Sequence, residues 1–205
     1  MTPTLDPPIA PSRRRRWNRD ECKFLENAGL LKGRYELLDG EIILNMGQNS
    51  PHAITVMRVI LYLARLFNGD CIRTQTTMEV RADDRVLNRP EPDVVVLREI
   101  IYTGAPAGED VLLAVEVSDT TQTEDYGHKV GLYARAGVAE YWVLDLARRV
   151  LVVFRSPQRG EWLVRDEYAE DAQVAPLTAP HAPVAVSDLL PPLEIVSDLP
   201  APLNP

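Results

Sequence analysis

The sequence lacks the features that mark several large classes of protein. It contains only two cysteines in 205 residues, Cys22 and Cys71. That pair has no zinc-ligand spacing, and in a reducing compartment both are read as free thiols. No apolar run approaches the roughly 18 residues needed to cross a bilayer, so no membrane-spanning helix is expected. Arg13–Arg16 is the one N-terminal candidate for a targeting signal, but polar residues 17–21 follow it where an apolar stretch would be required. A cytoplasmic protein is therefore expected. There is also no basic excess. The net charge is −8, which counts against a nucleic-acid binder of the basic-patch type.

The charge is uneven. Residues 1–34 carry eight Lys/Arg against four Asp/Glu, and the remainder is strongly acidic. Arg13–Arg16 could touch phosphates, although a solvated basic tail is the plainer reading. The length suits one domain with a sizeable core, and 45% hydrophobic with 25% charged residues is ordinary for a soluble globular chain. Residues 1–16, with four prolines before position 16, read as a flexible arm. Residues 17–170 read as the folded domain. Residues 171–205, with eight prolines from position 176 onward, read as a Pro-rich tail. Within that tail, Leu189-Leu190 and Ile195-Val196 are apolar pairs suited to docking on the body.

Asn18 or Asp20 suits the cap of a short helix that ends near Gly29. Residues 35–38 and 41–44 flank Asp39-Gly40, a pair suited to a type I′ hairpin turn, in which both central residues need positive φ. Ser50-Pro51 opens a helix that continues on Ile54, Met57, Leu61 and Ala64 to about Phe67. Residues 71–81, 92–97 and 111–117 read as strands. The last is apolar on both faces apart from Glu116, as a covered central strand should be. A helix follows from Thr121 to Ala136 and stops at Gly137, with Asp119 and Thr121 as candidate caps. Strands at 140–145, 150–154 and 162–165 complete an α/β fold with a mixed sheet flanked by helices.

The chemistry is signalled by charge where burial should forbid it. Glu116 lies in the most apolar strand, so it needs a partner or a cation. Counting by twos puts Leu112, Ala114 and Glu116 on one face. Asp93 opens the neighbouring strand after Pro92. Two carboxylates on adjacent strand ends suit a hard divalent cation, Mg²⁺ or Mn²⁺. On the following helix Asp125, Lys129 and Tyr133 recur at intervals of four, along one face. An ammonium there can reach over the end of the Glu116 strand and offset charge in a phosphoryl-transfer transition state.

Several segments carry a resemblance. They are Arg34-Tyr35-Glu36-Leu37-Leu38-Asp39-Gly40-Glu41, Ser50-Pro51-His52, Pro92-Asp93-Val94-Val95-Val96, Val115-Glu116-Val117-Ser118, and the block from Lys129 through Tyr133-Ala134-Arg135-Ala136-Gly137-Val138 to Glu140-Tyr141-Trp142. Together they resemble the Uma-type restriction endonucleases of the PD-(D/E)xK nuclease superfamily over roughly residues 18–165. The resemblance implies a restriction-endonuclease-like fold and a metal-dependent endonuclease acting on phosphodiester bonds, with DNA as the expected partner. It implies Asp93 and Glu116 as metal ligands and Lys129 as the catalytic lysine. Glu41, or secondarily Glu36, would be an accessory acid, with His52 near the site. The superfamily's usual lysine position, two after the glutamate, is Ser118 here. In the Uma-type pattern the lysine lies on the following helix, which fits Lys129.

Plainer readings stand beside these. Asp93 could simply start a strand, and Glu116 could sit in a structural ion pair. Lys129 could pair with Asp125 on a solvated face, and Glu41 and His52 could be surface residues. Tyr133, Tyr141 and Trp142 read as core. A catalytically inactive nuclease-fold binding module is the alternative function. Cleavage of both DNA strands would call for two sites, and hence a homodimer.

Overall fold

The computed structural model describes residues 15–44, 49–119 and 124–193, with side-chain detail from Tyr126 onward in the last stretch. Most of the N-terminal arm, the Thr121 cap, the Asp125 side chain and the Ile195-Val196 pair lie outside these residues.

Helix α1 (Arg19–Asn27) starts at Asn18, whose side chain accepts from the Glu21 amide. Glu21 reaches back to the cap, giving the reciprocal arrangement that satisfies two orphan amides. Strands β1 (Tyr35–Leu38) and β2 (Glu41–Leu44) form the expected hairpin, with Asp39 and Gly40 at φ +48° and +81°. This hairpin is a separate two-stranded sheet. Its link to the body includes a mutual backbone pair, Leu37 with Arg89. Helix α2 (Ser50–Leu63) is capped by Asn49, one residue earlier than expected, with Pro51 in its first turn.

Strand β3 (Ile72–Thr74) is far shorter than the expected run of 71–81. The chain leaves the ladder at Gln75, which adopts φ +50° and sends its amide to the carbonyls of Pro92 and Asp93. A four-residue helix α3 (Ala82–Arg85) follows. Strands β4 (Val94–Leu97), β5 (Val111–Ser118), β6 (Glu140–Asp145), β7 (Val150–Gln158) and β8 (Glu161–Tyr168) lie with β3 in one mixed sheet, in sequence order. Only β5 and β6 run parallel among its described pairs, and helix α4 (Lys129–Ala136) crosses between them. A parallel pair needs such a crossover. The turn of wider π helix at Glu124–His128 leads directly into α4.

One core layer packs α2 on the sheet through Val56, Val59 and Leu63 against Val94, Val115 and Leu144. The other packs α4 through Leu132 and Tyr133 against Val95, Tyr141 and Val143. The β4–β5 register slips between Val96 and Leu97. Leu112 therefore packs on the α2 side, while Ala114 packs on the α4 side. The bulge interrupts the simple alternation that would have put Leu112 beside Ala114 and Glu116.

Residues beyond 170 contribute to this fold. Strands β9 (Gln173–Val174) and β10 (Val184–Ala185) pair, and helix α5 (Val186–Leu189) follows. Val174, Val186, Leu189 and Leu190 belong to the α2-side core. Glu140 and Arg155 tie this segment down: Arg155 donates to Glu140 Oε1 and to the Ala175 carbonyl, and Leu177 N donates to Glu140 Oε2.

Candidate active site

The antiparallel β4–β5 ladder pairs Val94 with Val115. Continued by one residue, it sets Asp93 opposite Glu116. Directly opposed residues have Cβ atoms about 4.5–5.5 Å apart and point to one face. The beginning of one strand and the end of its neighbour thus bring the two carboxylates together. Asp93 extends the ladder with its side chain, since Oδ2 accepts from Val117 N at 2.9 Å. Its Oδ1 lies 3.2 Å from His52 Nε2. His52 is brought there by the first turn of α2, whose Asn49 cap donates to Asp119 just past β5.

Glu116 is 3% exposed. Its Oε1 accepts from Lys129 Nζ at 3.0 Å and from the Tyr133 hydroxyl at 2.7 Å. Lys129 and Tyr133 are one helical turn apart, so one face of α4 delivers both donors. The Lys129 ammonium also lies 3.0 Å from Glu36 Oε2. Glu36 is itself buried, and its Oε1 accepts from Glu91 N at 2.6 Å. Burial first, and the Glu116 carboxylate second, hold the Tyr133 phenol well above its ordinary pKa. It is therefore a hydroxyl donor at neutral pH. Next to Lys129, His128 Nε2 meets Asn88 Oδ1 at 2.7 Å, and burial lowers the His128 pKa.

Asp93, Glu116, Lys129 and His52 therefore converge on one end of the sheet. Glu41 is exposed on β2, and the acid that meets Lys129 is Glu36. Burial of Lys129, at 4% exposure, excludes a solvated helix position. The sequence ranks Glu36 behind Glu41 and reads Tyr133 as core, and the structure adds their contacts: Glu36 meets Lys129, and the buried Tyr133 donates to Glu116. The four-residue spacing of Tyr133 from Lys129 is the signal for the second.

Asp93 and Glu116 offer oxygen donors, the type a hard divalent cation takes. Lys129 lies against both Glu36 and Glu116, and His52 lies against Asp93. No group of three or more His, Cys, Asp or Glu among the described residues is arranged to hold a metal ion. Ser118, in the superfamily's usual lysine position, is fully buried, and its hydroxyl has no hydrogen-bond partner among the described residues.

A family model described as "Uma2: Putative restriction endonuclease" matches residues 27–185. The chain belongs to this Uma2 family. A solved structure titled as a "putative nuclease belonging to DUF820 from Anabaena variabilis ATCC 29413" shares the fold, with a TM-score of 0.63 and 17% identity over 86% of this chain and 97% of that one. A search of curated proteins finds no match. The Uma2 match reaches into the segment after residue 170. None of the helices among the described residues is long and apolar enough to cross a membrane.

Proposed function

We propose that the chain is a divalent-metal-dependent endonuclease that hydrolyses phosphodiester bonds of DNA. The supporting observation is the meeting of Asp93, Glu116 and Lys129 at one end of β4 and β5. Asp93 and Glu116 would hold Mg²⁺ or Mn²⁺. When bound, the ion supplies Lewis acidity toward a phosphoryl oxygen and lowers the pKa of water. Lys129, placed by α4 between Glu116 and Glu36, orients Glu116 and offers positive charge where the transition state gains negative charge. Val117 N–H fixes the rotamer of Asp93, and His52 lies against its other oxygen.

The test is cleavage of plasmid DNA in Mg²⁺ by the wild-type protein and by Asp93→Ala and Glu116→Ala, with folding followed by circular dichroism. Both variants should keep the fold and lose cleavage. Undiminished cleavage in both, or in a chelator, would eliminate the reading. If two copies cut both strands, sedimentation should find a dimer, at least on DNA. A catalytically inactive binding module is the second reading, and the net charge of −8 favours it. Calorimetry with Mg²⁺ separates the two, since a working site takes up the ion.

A further inference from the structure

Arg34 stands beside the candidate site, one residue removed from two of its acids. Its guanidinium donates to Glu91 Oε2 at 2.9 Å, and the Glu91 amide donates in turn to Glu36 Oε1. It also donates to the Gln75 carbonyl at 3.0 Å and to the Gln75 side-chain oxygen. The Gln75 amide reaches the carbonyls of Pro92 and Asp93 at 3.1 Å each. These bonds hold the guanidinium in place and use three of the five N–H donors of an arginine. The Arg34 side chain is 45% exposed, whereas that of Glu91 is 7% exposed. The ion pair therefore turns its anion inward and its cation outward. Neutralising Glu91 does not depend on Arg34, because Arg89 lies 3.4 Å from Glu91 Oε1 and the Thr77 hydroxyl donates to the same oxygen.

We infer that Arg34 is a substrate-binding residue that holds a backbone phosphate of the nucleic acid beside the phosphodiester to be cleaved. The inference rests on the nuclease reading above and adds the point at which the strand is gripped. A guanidinium presents a planar fork that matches phosphate oxygens, and one already fixed by its neighbours loses little freedom on binding. A chain of net charge −8 repels a polyanion as a whole. A strand must then be held by local cations, and Arg34 is fixed at the edge of the acids.

The experiment measures binding of a labelled DNA duplex to the full chain by fluorescence anisotropy over a series of salt concentrations. It is run with Ca²⁺ in place of Mg²⁺ and again with EDTA. Wild type is compared with Arg34→Gln, Arg34→Lys and Arg165→Gln, the last an exposed arginine on β8, the strand at the opposite edge of the sheet from β3. Arg34→Gln should weaken binding about tenfold at low salt, the low end for one charge-assisted bond. The plot of log affinity against log salt should become shallower by about 0.9, the loss of one phosphate contact. Arg34→Lys keeps the charge and should keep the slope, and Arg165→Gln should alter neither quantity. A merely structural Arg34 would leave the slope unmoved, and an unchanged slope in folded Arg34→Gln overturns the inference while leaving the nuclease reading intact. An equal effect of Arg165→Gln overturns it as well, since only net charge would then be at work. Wild-type protein that binds DNA in neither condition overturns the DNA reading and the inference with it. Should Arg34→Gln fail to fold, Arg34→Lys decides: a folded Arg34→Lys that binds as wild type does at every salt concentration refutes a fork-shaped grip on phosphate, and weaker binding on an unchanged slope supports it.

Discussion

Lys129 touches two carboxylates on two different elements, and its removal separates structural from chemical roles. Lys129→Met keeps the volume and deletes the charge, leaving Glu36 and Glu116 buried without their shared cation. Breaking a buried ion pair in this way costs roughly 3–5 kcal/mol. The urea midpoint of Lys129→Met should fall accordingly, and cleavage should fall with it. A midpoint within experimental scatter of wild type would show that the ammonium is not holding the two acids together. The residues proposed to hold the metal behave differently. Asp93→Asn retains an acceptor for the Val117 amide, so the fold should persist, while cleavage drops by at least about a hundredfold, the scale on which loss of one charge-stabilising group registers. Initial-rate assays at saturating Mg²⁺ check this.

At the scale of elements, the hairpins show how sequence becomes geometry. Asp39-Gly40 makes its turn with the residues such a turn favours. The β7–β8 hairpin turns on Arg159-Gly160, at φ +53° and +85°, and so places an arginine where asparagine would be easier. Arg159→Asn should raise stability by up to about 1 kcal/mol, read as a higher urea midpoint with an unchanged slope. A lower midpoint would mean that the arginine makes contacts outweighing its backbone cost. The elements legible in the sequence were those with strong local signals: the α1 cap at Asn18, the Asp39-Gly40 hairpin, the apolar β5, and the Gly137 stop of α4. Residues 75–81 read as strand in the sequence, and the structure does bury their apolar Met78 and Val80. The ladder nevertheless ends at Gln75, for a reason set by distant carbonyls at Pro92 and Asp93. The bulge that turns Leu112 away is likewise a property of the pairing of two strands, and composition is silent on it. Asp93 and Glu116 stand out because charge in an apolar strand is conspicuous, whereas Lys129, on an amphipathic helix, stands out through the family resemblance. Glu36 was harder to rank against Glu41, since the choice depends on which part of a short hairpin is covered by the body.

Across the whole molecule, the segment after residue 170 closes the α2-side core. Val186, Leu189 and Leu190 are each at most 1% exposed, and burying such side chains is worth about 1.5–3 kcal/mol apiece. Against a typical total of about 5–15 kcal/mol, a chain ending at residue 170 should fail to fold, seen as loss of a cooperative melting transition. A sharp transition in that chain would show that the core closes without the segment. Stability should also fall in alkali. Burial pushes Tyr35 and Tyr62 up to about 12, with Glu26 adding to the first and Glu140 to the second. Their folded values lie above the ordinary 10, so the stabilisation is complete below pH 10 and is lost as pH rises toward 12. His128 works in the opposite direction. Its lowered value favours the neutral folded form, and that contribution fades as pH falls below 6.5. Melting temperature against pH, with tyrosinate absorbance followed in parallel, tests both limbs.

The two acids that share Lys129 belong to different bodies. Glu116 is built into the six-stranded sheet, whereas Glu36 rides on a hairpin that shares no ladder with it. The ammonium is therefore a cross-link between the sheet and the hairpin, a second fastening beside the Leu37–Arg89 backbone pair, so a change in either partner is felt by both.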